Sequence, residues 1–134
     1  INGISWYNDS IATIPTAVMG AVKALGNVDT LLFGGLDRGI DYTDFIEFLA
    51  ECNIKNLVGL PETGHNIINA LKEKGVGKNM VCAENMESAV KICAEITEAG
   101  KSCLFSPAAA SYNYYKNFEE KGKHFKSEIH NLTK

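Results

Sequence analysis

The 134-residue sequence lacks several signals that would place it in a functional class at once. It has no apolar run approaching the ~20 residues that a membrane-spanning helix needs, and no recognisable secretory signal. It contains neither GxGxxG nor GxxxxGK[ST], the glycine-rich patterns that bind dinucleotides and triphosphates. Its net charge of −3 is opposite in sign to that of a general nucleic-acid binder. We therefore expect no membrane or nucleic-acid partner and no phosphate-binding loop within this chain.

The cysteines form no recognisable metal or disulfide motif. No two of them stand in a CxxC arrangement, and whole predicted elements separate Cys52, Cys82, Cys93 and Cys103. Buried, reduced thiols are the favoured interpretation, and a metal site or a disulfide framework is the weaker alternative. This usage predicts a cytoplasmic protein without a bound metal.

What the sequence does have is enough apolar material for one folded domain. Hydrophobic residues make up 46% of the chain, which excludes a disordered tail. The sequence begins at Ile1, almost inside a predicted strand. We therefore expect residues 1–134 to be a single domain of a longer protein.

Short apolar runs alternate with segments of helical periodicity along the whole chain. The pattern predicts strands at 4–7, 30–33, 56–60, 79–82 and 102–105, and helices at 16–25, 42–52, 63–74, 86–99, 112–121 and 123–132. Such alternation is typical of an α/β fold. We expect a three-layer, Rossmann-like domain whose mostly parallel sheet has five or six strands, with helices on both faces.

The segment 106–122, which begins Ser-Pro-Ala-Ala-Ala-Ser-Tyr, is the most informative part of the sequence. It follows the last predicted strand directly, and a serine before a proline is typical of a helix start, with Ser106 as the cap. A helix start lined with hydroxyls suits a carboxylate or phosphate. The plainer alternative is an ordinary capped helix, because serine caps are common.

Polar and glycine residues follow the predicted strands where a parallel sheet would place a ligand. They are Asn8-Asp9-Ser10 after the first strand, residues 34–39 after the second and residues 106–111 after the last. Arg38, framed by glycines, suits two-pronged recognition of a carboxylate. Asp9 could meet a ribose or a metal, or simply cap the next helix. Loops are polar in any case, so a site and an ordinary set of loops are equally good interpretations here.

Other residue types give weaker signals. The histidines, His65, His124 and His130, fall on predicted helices, and surface helices often carry such residues. The aromatic residues near the end, which include Tyr112, Phe118 and Phe125, have helical spacing and are mostly expected in the core. Ser111 has no evident histidine partner, so we assign no catalytic residue to this chain.

Taken together, three blocks of sequence resemble the C-terminal domain of the Mur ligases. They are Tyr7-Asn8-Asp9-Ser10-Ile11-Ala12-Thr13, the loop 34–39, which reads Gly-Gly-Leu-Asp-Arg-Gly, and the Ser-Pro-Ala-Ala-Ala-Ser segment that runs on to Lys116–Gly122. The third block is the most specific, and the order of the blocks covers nearly the whole chain. The resemblance is closest to the branch that adds D-glutamate to UDP-N-acetylmuramoyl-L-alanine in peptidoglycan synthesis.

The resemblance implies a function and a set of site residues. Members of this family use ATP and Mg, bound mainly by a central domain upstream, to phosphorylate the acceptor carboxylate, which the amine of glutamate then attacks. The C-terminal domain supplies the glutamate pocket and closes over the central domain. The resemblance places Asp9 near the nucleotide ribose, and it implies that D-glutamate is held by Thr13, Arg38, Ser111, the backbone of Tyr112, and Phe118.

Some alternatives stay open in the sequence. The family pattern NDSKATN reads Asn-Asp-Ser-Ile-Ala-Thr-Ile here, so Ile11 replaces a lysine and Ile14 an asparagine. The sequence does not distinguish D- from L-glutamate. The alternative class is a standalone α/β small-ligand-binding or regulatory module without catalysis. A receiver domain is disfavoured because the third predicted strand ends in Gly59-Leu60-Pro61 rather than at an aspartate.

Overall fold

The computed structural model describes residues 3–9, 14–35, 39–108 and 118–132, with the side chain of Phe118 excepted. Strands and helices alternate through these residues. The strands are β1 (Ser5–Asn8), β2 (Val28–Phe33), β3 (Asn56–Gly59), β4 (Asn79–Cys82) and β5 (Ser102–Phe105). The helices are α1 (Pro15–Leu25), α2 (Thr43–Glu51), α3 (Thr63–Glu73), α4 (Met86–Ile96) and α5 (Phe118–Asn131).

The five strands form one parallel sheet in the order β1-β5-β2-β3-β4. All residues of β2, β3 and β5 are buried. The carboxyl-terminal halves of these strands are therefore apolar without alternation, since helices cover both faces of the sheet. The predicted α/β class, with a parallel sheet of about five strands, is confirmed.

Helices on the two faces enclose two separate hydrophobic cores. Side chains of α1, α2 and α3 pack on Leu31 and Leu57, whereas those of α4 and α5 pack on Leu32 and Val58. Neighbouring residues of a strand point to opposite faces, so the central strands β2, β3 and β5 each contribute to both cores. The arrangement follows from right-handed crossovers, because the chain moves one way from β1 to β4 and then reverses to reach β5.

Two glycines let α3 approach the sheet unusually closely. A Cβ added to Gly59 would lie 2.6 Å from the carbonyl oxygen of Gly64, and a Cβ on Gly64 would lie 2.7 Å from the Cα of Gly59. Because real Cβ atoms do not approach backbone atoms so closely, the first turn of α3 can rest on the end of β3 only with glycine at both positions.

Two local predictions were wrong. Residues 123–132 were expected to form a helix separate from 112–121, but α5 runs without a break through Gly122. Its buried face, which includes Lys121, Phe125 and Ile129, is continuous across that glycine. A helix start at Ser106-Pro107 was also expected. Ala108 instead has φ of +60°, a left-handed conformation that a helical first turn excludes.

The cysteines were predicted to be reduced and buried, and the second of these properties holds for two of the four. All four are free, Cys93 and Cys103 are buried, and Cys52 and Cys82 are half-buried. The adjacent thiol of Cys93, together with burial, raises the pKa of Cys103 well above its usual range. The Cys103 thiol is therefore a protonated core group rather than a nucleophile.

Candidate functional site at the carboxyl edge of the sheet

The described parts of the three sequence blocks meet where the topology of the sheet changes direction. β5 lies between β1 and β2, and the helix that follows β5 lies on the opposite face from the helices that follow its two neighbours. The connections therefore diverge and open a crevice beyond the carboxyl ends of these three strands. In open parallel sheets this is the usual place for a ligand.

The end of β1 is tied to the end of β5 by a side-chain hydrogen bond. The hydroxyl of Ser106 donates to Oδ2 of Asp9 over 3.0 Å, and the Asp9 N–H donates to the Phe105 carbonyl over 2.8 Å. The first helix is capped at Ile14, without a side-chain cap bond. Asp9 thus holds the ends of two strands together and does not cap the helix that follows it.

The glycine turn after β2 is fixed from both sides. The N–H of Gly34 donates to the Pro107 carbonyl over 2.8 Å, which joins the second block to the third. The N–H of Gly35 donates to the hydroxyl of Thr63, at the start of α3, over 2.9 Å. Gly34 has φ of +119°, and a Cβ there would lie 2.5 Å from the Leu60 carbonyl oxygen. Only glycine fits this position.

The turn after β5 is also held in an uncommon conformation. Ala108 is buried with positive φ, and its carbonyl accepts a hydrogen bond of 2.9 Å from the hydroxyl of Tyr42. Positive φ in a residue other than glycine persists only where the surroundings impose it, and such residues concentrate at functional sites. This turn comes three residues before the predicted Ser111 in the sequence.

Lys121 lies buried beneath the same edge. Its side chain comes from α5 and is only 2% exposed, and its Nζ donates to the Gly34 carbonyl over 2.7 Å. The ammonium also lies 5.8 Å from the centre of the Phe105 ring. Burial lowers the pKa of Lys121 to about 8. A cation is therefore held at the junction of β2 and β5, bonded to a neutral carbonyl.

The structure describes only part of the predicted site. Asp9 lies at the crevice, and α5 begins at Phe118. The other predicted residues lie outside the described part of the chain: Thr13, Arg38, Ser111 and Tyr112. What the structure does bring together are the described residues that adjoin them, at Asp9, at the Gly34-Gly35 turn and at Ser106–Ala108.

Two residues of the edge were missed or misassigned from sequence. Lys121 belongs to the third block, but nothing in its helical surroundings indicated that it would be buried. Ser106 was predicted to cap a helix, yet it bonds a side chain from the distant strand β1. Its position directly after an apolar run was the available signal that its hydroxyl would be buried and would need a partner.

The histidines stand as predicted, on helices and in ordinary contacts. Nε2 of His65 lies 2.8 Å from the Ala83 carbonyl oxygen, and Nε2 of His124 lies 3.5 Å from a carboxylate oxygen of Glu128 on the same helix. Across the described ranges, no cluster of three or more His, Cys, Asp or Glu side chains is arranged to hold a metal ion. Nor does any helix in those ranges have the length and apolar character to cross a membrane.

No protein-family model matches the chain, but comparison with curated proteins finds similar sequences. The chain is 39% identical over 130 residues to the UDP-N-acetylmuramoylalanine–D-glutamate ligase of Lachnoclostridium phytofermentans, which covers 97% of this chain and 28% of that protein. It is 36% identical over 133 residues to the enzyme of the same name from Symbiobacterium thermophilum, covering 99% of this chain and 29% of that protein. The corresponding figures for Clostridioides difficile are 36% over 132 residues, 98% and 29%.

These matches confirm the predicted resemblance to the D-glutamate-adding Mur ligases along nearly the whole sequence. The chain spans less than a third of the length of the curated relatives it matches. The alternative of a standalone binding or regulatory module is not favoured by these relatives.

Proposed function

We propose that this chain is the C-terminal, glutamate-binding domain of a Mur ligase that joins D-glutamate to UDP-N-acetylmuramoyl-L-alanine. Residues 1–134 would form one domain of that longer cytoplasmic enzyme. The proposal rests on the similarity to ligases of that name and on one structural observation. This observation is that hydrogen bonds from Ser106 to Asp9 and from Gly34 to Pro107 join the described ends of all three blocks at one crevice.

Each site residue would then bind the part of the ligand that its side chain suits chemically. Arg38 is the single arginine of the sequence, and its planar guanidinium would bind a glutamate carboxylate through two parallel hydrogen bonds. Thr13, Ser111 and the N–H of Tyr112 would bind the remaining polar atoms of D-glutamate, with Phe118 beside its carbon chain. Asp9 would accept hydrogen bonds from the ribose of the nucleotide. These groups orient the amine for attack, a contribution of positioning.

ATP and Mg would be bound mainly by other parts of the full-length protein. The sequence has no triphosphate-binding loop, and the described residues include no acidic cluster fit for a metal. ATP supplies the activation of the acceptor carboxylate when it is bound. We therefore expect the isolated chain to form no amide bond, and ligase activity from residues 1–134 alone would contradict the proposal.

The substrate proposal is tested with the full-length protein. We expect ATP-dependent coupling of D-glutamate, and much slower coupling of L-glutamate, to UDP-N-acetylmuramoyl-L-alanine, measured as released phosphate and as product by mass spectrometry. No turnover with any acidic amino acid, while ATP is still bound, would reject the ligase assignment.

The pocket assignment is tested by Arg38→Ala. Loss of a two-pronged carboxylate contact should raise the KM for D-glutamate about 100-fold and leave the KM for ATP within about twofold. Arg38→Lys should recover part of this loss, because it keeps the charge without the planar fork. Lys55→Ala is the matched control, because Lys55 directly precedes β3 at the amino ends of the strands, and it should change neither constant. An equal loss for all substrates would contradict the assignment.

A further inference from the structure

The hydroxyl of Ser106 is completely buried and points at a carboxylate that is not. Ser106 is 0% exposed, whereas Asp9 is half-buried at the end of the edge strand. Backbone bonds fix both residues, because the Ser106 N–H donates to the Leu32 carbonyl over 3.0 Å and the Asp9 N–H to that of Phe105 over 2.8 Å. The hydroxyl can therefore do little except hold Oδ2 of Asp9 in one orientation.

Within the part of the chain that the structure describes, this contact occupies one carboxylate oxygen of Asp9 and leaves the other open to a ligand. Among the described residues, the Ser106 hydroxyl is the one group that donates to the Asp9 side chain. A carboxylate at the end of a strand of a parallel sheet is well placed to accept hydrogen bonds from ribose hydroxyls. Such recognition requires a fixed carboxylate plane, since a freely rotating side chain loses entropy when a ligand binds.

We propose that Ser106 is a positioning residue for the nucleotide, whose hydroxyl orients the Asp9 carboxylate toward the ribose. The inference rests on the proposed function for the presence of a nucleotide. It adds a residue that the three-block resemblance does not assign to binding, and it explains why a buried hydroxyl stands immediately after an apolar strand.

Ser102 provides an internal comparison at the other end of the same strand. It is also 0% exposed, and its hydroxyl lies 2.9 Å from the side-chain oxygen of Asn27. Both serines are buried and bonded to a side chain, so replacing either one removes the same kind of interaction. Only Ser106 lies at the crevice. The pair therefore separates a general packing effect from an effect on the ligand.

The experiment measures ATP affinity of the full-length protein by calorimetry, together with KM values. Ser106→Ala is expected to weaken ATP binding about tenfold and to leave the KM for D-glutamate within about twofold. Ser106→Cys, which is nearly isosteric and a weak donor, should give an intermediate loss. Ser102→Ala should bind ATP like the wild type.

Two further measurements test the route through Asp9. An ATP analogue whose ribose lacks both hydroxyls should bind wild type and Ser106→Ala equally, because the carboxylate then has no ribose partner to orient. In an Asp9→Ala background, Ser106→Ala should cause no additional loss, as expected for two groups that act as one unit.

Three results would overturn the inference. They are a loss of ATP affinity on Ser106→Ala that persists in the Asp9→Ala background, a loss of affinity for the analogue on Ser106→Ala as large as the loss for ATP, and an equal loss of ATP affinity on Ser102→Ala. Each result depends on ATP binding and not on amide formation. A protein that binds ATP with these dependences but does not use D-glutamate would refute the proposed function and leave the role of Ser106 standing. Absence of any ATP binding would overturn both.

Discussion

At the scale of single residues, the most unusual group is the ammonium of Lys121. A buried charge normally meets a charge of opposite sign, yet the described partner of Lys121 is the neutral carbonyl of Gly34. The pKa of Lys121 is lowered to about 8 by burial, so the protonated side chain destabilises the folded state near neutral pH. The hydrogen bond that it makes nevertheless fixes the turn that leads to Arg38.

This leads to a prediction about the pH dependence of stability. Between pH 8 and about 10.5, Lys121 is protonated in the unfolded chain and increasingly neutral in the folded one, so raising the pH stabilises the fold. Relative to Lys121→Met, the wild-type free energy of unfolding should rise by about 3 kcal/mol from pH 7 to pH 10.5. Urea denaturation at several pH values measures this difference.

Lys123→Met is the control for this prediction, because Lys123 is exposed on the same helix. Its difference from the wild type should stay flat with pH. A flat difference for Lys121→Met as well would show that the Lys121 pKa is not lowered in the folded state.

At the scale of elements, α1 begins without a side-chain cap, whereas α4 is capped by Asn85, whose side chain accepts a hydrogen bond from the Ser88 N–H. The N-cap of α1 is Ile14, with φ of −130° and ψ of 149° and no side-chain hydrogen bond, and Pro15 follows at the first helical position. Ile14 is 53% exposed. The backbone is thus already in the conformation of a cap, but the side chain has no acceptor for the free N–H groups of the first turn.

Replacing Ile14 by asparagine, the residue that the family pattern carries here, should stabilise the fold. We expect Ile14→Asn to raise the free energy of unfolding by about 1 kcal/mol, because the amide oxygen can accept an N–H of the first turn. Thermal and urea denaturation measure the gain. Ile14→Ala removes the exposed apolar group without adding an acceptor and should show no gain; an equal gain would mean that capping is not the cause.

At the scale of the whole molecule, the two edges of the sheet differ in what they do. The carboxyl edge carries the crevice, whereas the amino edge carries a buried polar network that joins β2, β3, β4 and α4. Nδ2 of Asn56 lies 3.3 Å from Oδ2 of Asp29 and 3.1 Å from the Thr30 hydroxyl. The Glu98 N–H, just after α4, donates to the same Asp29 oxygen over 2.9 Å. The network joins the sheet to the end of α4 on the side away from the site.

Removing the centre of this network should be costly. Asn56→Ala leaves the buried Asp29 with one donor fewer, and we expect a loss of about 2–3 kcal/mol in the free energy of unfolding. Asn79→Ala is the matched control on the next strand, because its exposed amide also bonds Asn56, over 3.2 Å, and its loss should stay below about 1 kcal/mol. Equal losses for the two variants would show that burial of the Asp29 partner is not what matters.

The alternation of strands and helices was predictable because it depends on the spacing of apolar residues within each short segment. β4 and β5 match their predicted bounds, and Gly26 ends α1 in the left-handed conformation that its position indicated. The prediction failed where local signals were ambiguous. Gly122 suggested a helix end, but the buried face of α5 continues past it, since tertiary packing can outweigh the cost of one glycine in a helix.

The candidate site was predictable only as a set of loops. The rule that ligands bind beyond the carboxyl ends of parallel strands needs no coordinates, so Asp9, the Gly34 turn and the Ser106 turn could be chosen from sequence. The roles of Thr13, Arg38, Ser111, Tyr112 and Phe118 in binding glutamate remain predictions. The partners of individual side chains could not be chosen, because they depend on which strands are neighbours.

The sequence by itself determined the fold class, because apolar runs and helical periods are properties of adjacent residues. It also determined the family resemblance, since motifs keep their order along the chain. Only the tertiary structure decided that β5 lies between β1 and β2, and this single insertion places Ser106 against Asp9 and Lys121 against Gly34. The physical reason is that these contacts join residues about 90 positions apart, for which the sequence carries no local signal.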